Sequence, residues 1–132
     1  MFLRTIIVIL ATFSLLGFQP QRIGADELII LTPQEYISLY AREYGASEKE
    51  LLTVARCESK LDPKAIHYND GGKNKHSVGI FQYQESTFNS FNNLIGEDLD
   101  YYSYQDQIKL TAMIFSKYPK LKTHWTCYNL NF

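Results

Sequence analysis

The stretch from residue 47 to residue 65, SEKELLTVARCESKLDPKA, decides the fold, because it predicts a helix that ends with a carboxylate on its apolar face. Leu51, Val54 and Ala55 recur at the spacing of one helix face. Glu58 takes the next position of the same stripe. The opening SEKE has the form of a capping box, and the proline of LDP requires the helix to end before it. Glu58 is therefore expected in the last turns of the helix, facing whatever cleft follows.

Glu58 is the candidate catalytic residue, because a charged side chain on a buried helix face is unfavourable unless it has a structural or functional role. Burial disfavours the ionised form of a carboxyl group and raises its pKa. A carboxyl group that keeps its proton near neutral pH is what a general acid requires. The alternative is a structural residue in a salt bridge, and the sequence around Glu58 has to decide between the two interpretations.

The first 25 residues predict a secretory signal peptide rather than a part of the fold. A short, positively charged start precedes an apolar run over residues 5–18, which is shorter than the roughly 20 residues that span a bilayer. Ala25 then suits a cleavage site, and an uncleaved anchor is the alternative. We expect a periplasmic or extracellular, wall-associated protein without stable membrane insertion after cleavage. Its single domain would comprise residues 26–132.

Composition argues against nucleic acid as a partner. Without Arg4 and Arg22, 11 basic residues remain against 14 acidic ones, which gives a formal net charge of −3. The three histidines lack the spacing of metal ligands and are expected on the surface or at the rim of a cleft; they are His67, His76 and His124. We expect neither a metal nor a cofactor.

Cys57 and Cys127 are the two cysteines of the chain. In an oxidising compartment an even pair most simply forms one disulfide, and two unrelated thiols are the alternative. The bond would close a loop of about 70 residues and stabilise the fold by roughly 4 kcal/mol on the chain-entropy model. Trp125 is expected to pack beside it, with stacking on a sugar ring as the alternative.

The rest of the chain predicts further helices and one irregular, turn-rich segment. A capping box and a glycine delimit a helix over residues 32–44. Residues 65–75 contain the turn signal NDGG and predict a loop or a short hairpin. A short helix capped by Ser86 or Thr87, and a longer one from 103 to the proline at 119, follow. The fold class is α+β, mainly α, with at most a short irregular hairpin.

Three segments together resemble the soluble lytic transglycosylase family of the lysozyme-like group: CESKLDPKA at 57–65, SVGIFQ at 77–82 and TF at 87–88. The pattern of that family is a Glu-Ser pair at a helix end, then Pro and Ala, then Gly-hydrophobic-hydrophobic-Gln about twenty residues on. Here 21 positions separate Glu58 from Gly79. The resemblance implies a small, lysozyme-like helical domain.

The resemblance is strong over residues 51–91 and implies roles for the matched residues. Glu58 would be the lone catalytic acid and base, with Ser59 as a polar neighbour that supports the site. Gly79 would let the backbone approach the glycan, and Gln82 would form a hydrogen bond near the catalytic centre. The residues expected to bind substrate are Ser59, Ser77, Gly79, Phe81, Gln82 and Tyr128.

The C-terminal end of the chain matches the family pattern only in part. The family often has a late Tyr-Asn pair whose tyrosine contacts the catalytic glutamate, and Tyr128-Asn129 is the matching pair here. The small residue and the glycine expected after it are replaced by Leu130 and Asn131.

The number of carboxyl groups in the site helps to distinguish a hydrolase from a lytic transglycosylase. Glycosidases usually employ two, and in the animal-type lysozymes that this sequence also resembles the second stands where this chain has Ser77. A single acid suffices in lytic transglycosylases, where the glutamate protonates the glycosidic oxygen and then deprotonates the sugar's own C6 hydroxyl. The resemblance thus implies 1,6-anhydro products. The alternative is a hydrolytic muramidase that uses Asp70 or Glu85, although each is expected to be a solvated turn or helix-start residue.

The expected substrate is the glycan strand of peptidoglycan. A hypothesis of another class is a non-catalytic wall-binding module attached to a secretion apparatus, with a partner that the sequence does not identify. The retention of Glu58 argues against that hypothesis, because a module that only binds needs no buried acid.

Overall fold

The computed structural model describes residues 30–132, so the predicted signal peptide lies outside the described residues. In this part of the chain the elements are α1 (Pro33–Tyr44), α2 (Glu48–Ser59), β1 (Ile66–Tyr68), β2 (His76–Val78), α3 (Glu85–Ile95), α4 (Tyr104–Lys117), a 3₁₀ helix (Pro119–His124) and α5 (Thr126–Asn131). The predicted α+β class, mainly α with one short hairpin, is confirmed. Within residues 30–132 no helix has the length and apolar character that crossing a membrane requires.

The two N-terminal helices begin where their capping residues predict. At the start of α1 the Thr32 hydroxyl accepts from the backbone N–H of Glu35, and the Glu35 carboxylate accepts from that of Thr32 at 2.7 Å. At the start of α2 the Ser47 hydroxyl accepts from the N–H of Glu50. The Glu50 carboxylate, however, accepts from Lys122 at 2.6 Å, so the second capping box is only half formed. This ion pair ties α2 to the 3₁₀ helix.

The start of α3 differs from the prediction. The helix begins at Glu85 rather than after Ser86 or Thr87, and Gln84 precedes it without a capping hydrogen bond from its side chain. The side-chain amide of Gln84 instead donates to the backbone carbonyl of Asp70 at 2.8 Å. The residue before α3 is thus used to hold the loop between β1 and β2.

Helix α4 forms the centre of the molecule. Its residues from 107 to 115 are buried on nearly every side, apart from Lys109, as expected for a helix that neighbouring elements surround. An aromatic cluster packs between α3, α4 and the C-terminal segment, and its rings meet mostly edge to face. The members of this cluster are Tyr83, Phe88, Phe91, Phe115 and Trp125. Trp125 therefore belongs to the core.

The hairpin continues into a tight turn at residues 79–82. Val78 and Tyr83 pair across it through two backbone hydrogen bonds of 2.9 and 3.1 Å. Gly79 has a φ of +81°, and a Cβ atom there would lie only 2.4 Å from the amide oxygen of Gln107. Gln107 is almost fully buried on α4 and donates to the carbonyl of Val78 at 3.2 Å. The turn is thus pressed against α4, and the glycine is needed for that contact.

A disulfide joins Cys57 near the end of α2 to Cys127 in α5, with 5.8 Å between the Cα atoms. The predicted pairing is confirmed. Because Cys57 directly precedes Glu58, the bond places the C-terminal helix beside the candidate catalytic residue.

Replacing both cysteines by alanine should lower the free energy of unfolding by about 4 kcal/mol, because the bond closes a loop of 70 residues in the unfolded chain. Urea unfolding followed by circular dichroism measures the difference. The wild type with its disulfide reduced is the control and should lose a similar amount. An unchanged unfolding midpoint in both samples would contradict the assigned stabilising role.

The contact between Gly79 and Gln107 gives a second prediction with a matched control. Gly96 also has a positive φ, of +72°, but a Cβ atom there would meet nothing within 4 Å. Gly96→Ala should therefore cost only the backbone strain, about 1 kcal/mol. Gly79→Ala should cost about 1–3 kcal/mol more, because the methyl group overlaps Gln107. Equal losses in urea unfolding would show that the turn does not depend on this close approach.

Candidate active site

A polar cleft of about 230 Å³ opens beside the end of α2. Its walls are the loop between β1 and β2, the 79–82 turn, the start of α3 and the segment that leads into α5. The lining residues are Glu58, Asp70, Ser77, Gln82, Tyr83, Gln84, Thr87, His124, Trp125 and Thr126. The volume is below the roughly 300–1,000 Å³ of pockets that enclose a whole small ligand, as expected for a cleft that holds part of a polymer.

Glu58 lies half-buried in this cleft. Burial raises the pKa of its carboxyl group, and the negative charge of Asp70 raises it further. The backbone N–H of Cys127 donates to Glu58 Oε1 at 3.3 Å and lowers the pKa of the carboxyl group. His67 also lowers this pKa. Because burial is the largest of these effects, the pKa lies above its ordinary value. The carboxyl group therefore retains its proton to a higher pH than a solvated glutamate.

Ser59 fixes the end of α2 to the 79–82 turn. Its buried hydroxyl lies 2.8 Å from the carbonyl oxygen of Ile80 and 3.1 Å from that of Ala55. The side chain does not line the cleft, so its place is that of a support for Glu58 rather than of a contact to substrate. This hydrogen bond holds Glu58 at a constant position relative to the turn.

Gln82 lies on the cleft wall, as its motif predicts. It has a φ of +51°, which is uncommon for a residue other than glycine. Its side-chain amide donates to the carbonyl of Gly79 at 2.8 Å and to that of Ala65 at 3.2 Å. The amide thus closes the turn and joins it to the chain that enters β1. Gly79 itself is buried, and the close neighbour that requires a glycine is Gln107 rather than a glycan.

Two predicted substrate contacts are not at the cleft surface. Phe81 is fully buried and packs against Trp125, whose indole N–H donates to the Phe81 carbonyl at 2.9 Å. The Tyr128 ring packs against Phe115, outside the cleft. The hydrogen bond that Glu58 accepts comes from the backbone N–H of Cys127. The predicted side-chain contact of Phe81 with substrate is wrong, because that side chain is fully buried, whereas the role of Tyr128 stays a prediction.

Ser77 and Asp70 meet in the cleft. Ser77 is 1% exposed, and its hydroxyl donates to the carboxylate of Asp70. Sequence reasoning placed Asp70 in a solvated turn, and the turn is indeed exposed, but it folds back so that Asp70 lines the same cleft as Glu58. The other carboxylate considered, Glu85, opens onto a neighbouring depression that shares only Gln84 with this cleft.

Of the three histidines, His124 lies at the cleft rim. Its ring meets Phe91 and Trp125 edge to face, and partial burial lowers its pKa, so the ring is neutral at neutral pH. His67 and His76 are exposed on the hairpin strands. Within residues 30–132 no three His, Cys, Asp or Glu side chains come together as metal ligands would.

Comparisons with known proteins give one match. Residues 35–122 match the family model of the transglycosylase SLT domain. Neither the curated proteins nor the solved structures contain a match to the chain. The matched region is two thirds of the sequence and includes Glu58, the hairpin and the 79–82 turn. The chain therefore belongs to the transglycosylase SLT family of enzymes that cleave glycosidic bonds in peptidoglycan.

Proposed function

We propose that this protein cleaves the β-1,4 bond between MurNAc and GlcNAc and leaves 1,6-anhydro-MurNAc ends, with Glu58 as the acid and the base. Membership of the family supports the substrate and the class of reaction. The observation that carries the proposal is the half-buried Glu58, whose pKa is raised, on the wall of a polar cleft beside the 79–82 turn.

The reaction needs one proton shuttle and no water. Protonated Glu58 donates its proton to the bridging oxygen while the bond from C1 of MurNAc to that oxygen breaks. The electron pair stays on the oxygen, which leaves as the 4-hydroxyl of GlcNAc. The Glu58 carboxylate then takes the proton of the C6 hydroxyl, and the C6 oxygen forms a bond to C1. The glutamate ends protonated again, ready for the next cycle.

The surroundings of Glu58 suit both halves of this cycle. Burial favours the protonated form, which the first step uses. The N–H of Cys127 donates to the carboxylate that the first step leaves behind, and so stabilises the form that the second step uses. A fully buried glutamate without this donor would resist losing its proton, and a fully solvated one would have lost it already.

The compartment is part of the proposal. The disulfide between Cys57 and Cys127 is typical of an oxidising environment, and peptidoglycan lies outside the cytoplasmic membrane. Together with the signal peptide predicted over residues 1–25, this supports export to the periplasm or the cell wall.

A hydrolytic muramidase is the second candidate function, and one observation favours it. Asp70 lines the cleft with Glu58, so a carboxylate is present that could activate water. The products distinguish the two reactions, because hydrolysis leaves reducing ends that are one water heavier than anhydro ends.

Digestion of purified peptidoglycan should give anhydro products, as measured by mass spectrometry of the released muropeptides. Glu58→Gln should lower the rate by roughly 10²–10⁴-fold, because the amide cannot donate a proton as an acid does. Glu85→Gln, outside the cleft, is the control and should keep the wild-type rate. Binding of Glu58→Gln to peptidoglycan should be retained, so that the loss lies in the chemistry.

Either of two results would contradict this proposal. Reducing ends alone would identify a hydrolase. Equal activity in Glu58→Gln would remove the glutamate from the mechanism.

The rate should have its optimum on the acidic side of neutrality. Protonated Glu58 is the reactive form, so kcat/KM must fall as the pH rises through its pKa. Because burial raises that pKa, the fall should come at a higher pH than for a solvated glutamate. Measurement at constant ionic strength from pH 4 to pH 9 tests this, and a rate that still rises through pH 8 would exclude Glu58 as the acid.

A further inference from the structure

The loop between β1 and β2 holds one carboxylate, that of Asp70, in the cleft. Asn69 has a φ of +58°, and its side-chain oxygen accepts from the N–H of Asn74 at 3.1 Å, which closes the loop. The carbonyl of Asp70 accepts from Gln84, and a Cβ atom on Gly71 would lie 2.9 Å from the same amide. The backbone that follows the Asp70 side chain is therefore held against Gln84, the residue that precedes α3.

The Asp70 side chain has a partner of its own. Ser77, on β2, is buried, and its hydroxyl donates to one carboxylate oxygen. This hydrogen bond fixes the orientation of the carboxylate. The second carboxylate oxygen has no partner in the described part of the chain, and the residue lines the cleft that contains Glu58. Thus a carboxylate is held in place in the same cleft as the candidate acid.

Cleavage of a glycosidic bond creates a positive charge on the sugar, shared by C1 and the ring oxygen. A fixed negative charge at the wall of the cleft lowers the energy of that state more than the energy of the neutral substrate. Glu58 alone cannot provide this charge at the start of the step, since it still carries its proton.

We propose that Asp70 is a second catalytic carboxylate, which stabilises the positive charge on the sugar while Glu58 transfers the proton, and that Ser77 is its positioning residue. This inference rests on the proposed cleavage by Glu58. In this role Asp70 exchanges no proton with the substrate and activates no water, so the products remain anhydro sugars. In the animal-type lysozymes that the sequence resembles, the second carboxylate stands at the position of Ser77. In this chain β2 has a serine there, and the carboxylate comes from Asp70, earlier in the chain, in the loop.

Asp70 also acts on Glu58 directly. The groups that face Glu58 are Asp70 from the loop, His67 from β1, the neutral His124 at the end of the 3₁₀ helix and the N–H of Cys127 from α5. Of these, Asp70 raises the pKa of Glu58, whereas His67 and the N–H lower it. Removal of the Asp70 charge should therefore lower that pKa.

The central test is Asp70→Asn, which keeps the size of the side chain and removes its charge. We expect kcat to fall about 10- to 100-fold, at or below the lower end of the range for one preorganised group, because Asp70 is partly solvated. The descending limb of the pH profile should move to lower pH, and the products should remain anhydro. Asp98→Asn removes an exposed carboxylate outside the cleft and is the control, with an unchanged rate and pH profile.

Two further variants separate catalysis from structure. Ser77→Ala leaves the charge but removes its donor, and should lower kcat several-fold with a smaller displacement of the pH profile. The double variant Asp70→Asn with Ser77→Asp returns a carboxylate to the same wall from β2, and should regain about tenfold over Asp70→Asn alone. A residue that only stabilised the loop would not show this rescue.

Three outcomes would overturn the inference. The first is a wild-type rate and pH profile in Asp70→Asn while Glu58→Gln is inactive. The second is a loss of rate with no displacement of the pH profile and a lower thermal midpoint, which would make Asp70 structural. The third is a change from reducing-end to anhydro products, which would make Asp70 the base of a hydrolase. Inactivity of Glu58→Gln separates the first two outcomes from a failure of the proposed function. The third overturns both proposals, because the wild type would then release reducing ends. If the double variant does not fold, the pH profile of Asp70→Asn still distinguishes a catalytic role of Asp70 from a structural one.

Discussion

The candidate active site depends on one contact, between the end of α2 and the 79–82 turn. Ser59 binds the turn from α2, and Gln107 fills the space beside Gly79 from α4. The turn is thereby fixed to two helices, and Glu58 has a defined position relative to Gln82. Because the cleft wall consists of backbone that is hydrogen-bonded and packed, substrate binding does not have to order it, which preserves binding energy for the reaction.

The C-terminal segment completes the environment of Glu58. The disulfide holds α5 against α2, Trp125 anchors the segment to the 79–82 turn, and Cys127 donates its N–H to the glutamate. These residues lie beyond the region that matches the family model. The matched region thus provides the acid and the turn, while the following residues set how far the acid is buried. The disulfide accordingly has two effects, on the stability of the fold and on the environment of Glu58.

The sequence predicted those features that depend on local spacing. The starts of α1, α2 and α4, the hairpin turn and the disulfide were recognisable because short-range patterns or an even cysteine count determine them. The wrong assignment, Phe81, depended on which side of the turn faces the core. The roles of Gln107 and Asp70 depend on contacts between distant segments. For Gln107 the available signal was a glutamine within the apolar stripe of α4. For Asp70 there was no signal, because an acidic residue is ordinary in a polar turn.

The position of Glu58 reflects a compromise between stability and activity. A half-buried carboxyl group with a raised pKa destabilises the folded state at neutral pH, because the unfolded chain releases the proton more readily. The cost is lost as the pH falls below the pKa of the unfolded chain, where both states are protonated. The hydrogen bond from Cys127 limits this cost, whereas Asp70 increases it. A fold selected for stability alone would omit the Asp70 carboxylate from this wall, so its fixed position beside Ser77 agrees with the proposed stabilisation of a positive charge on the sugar.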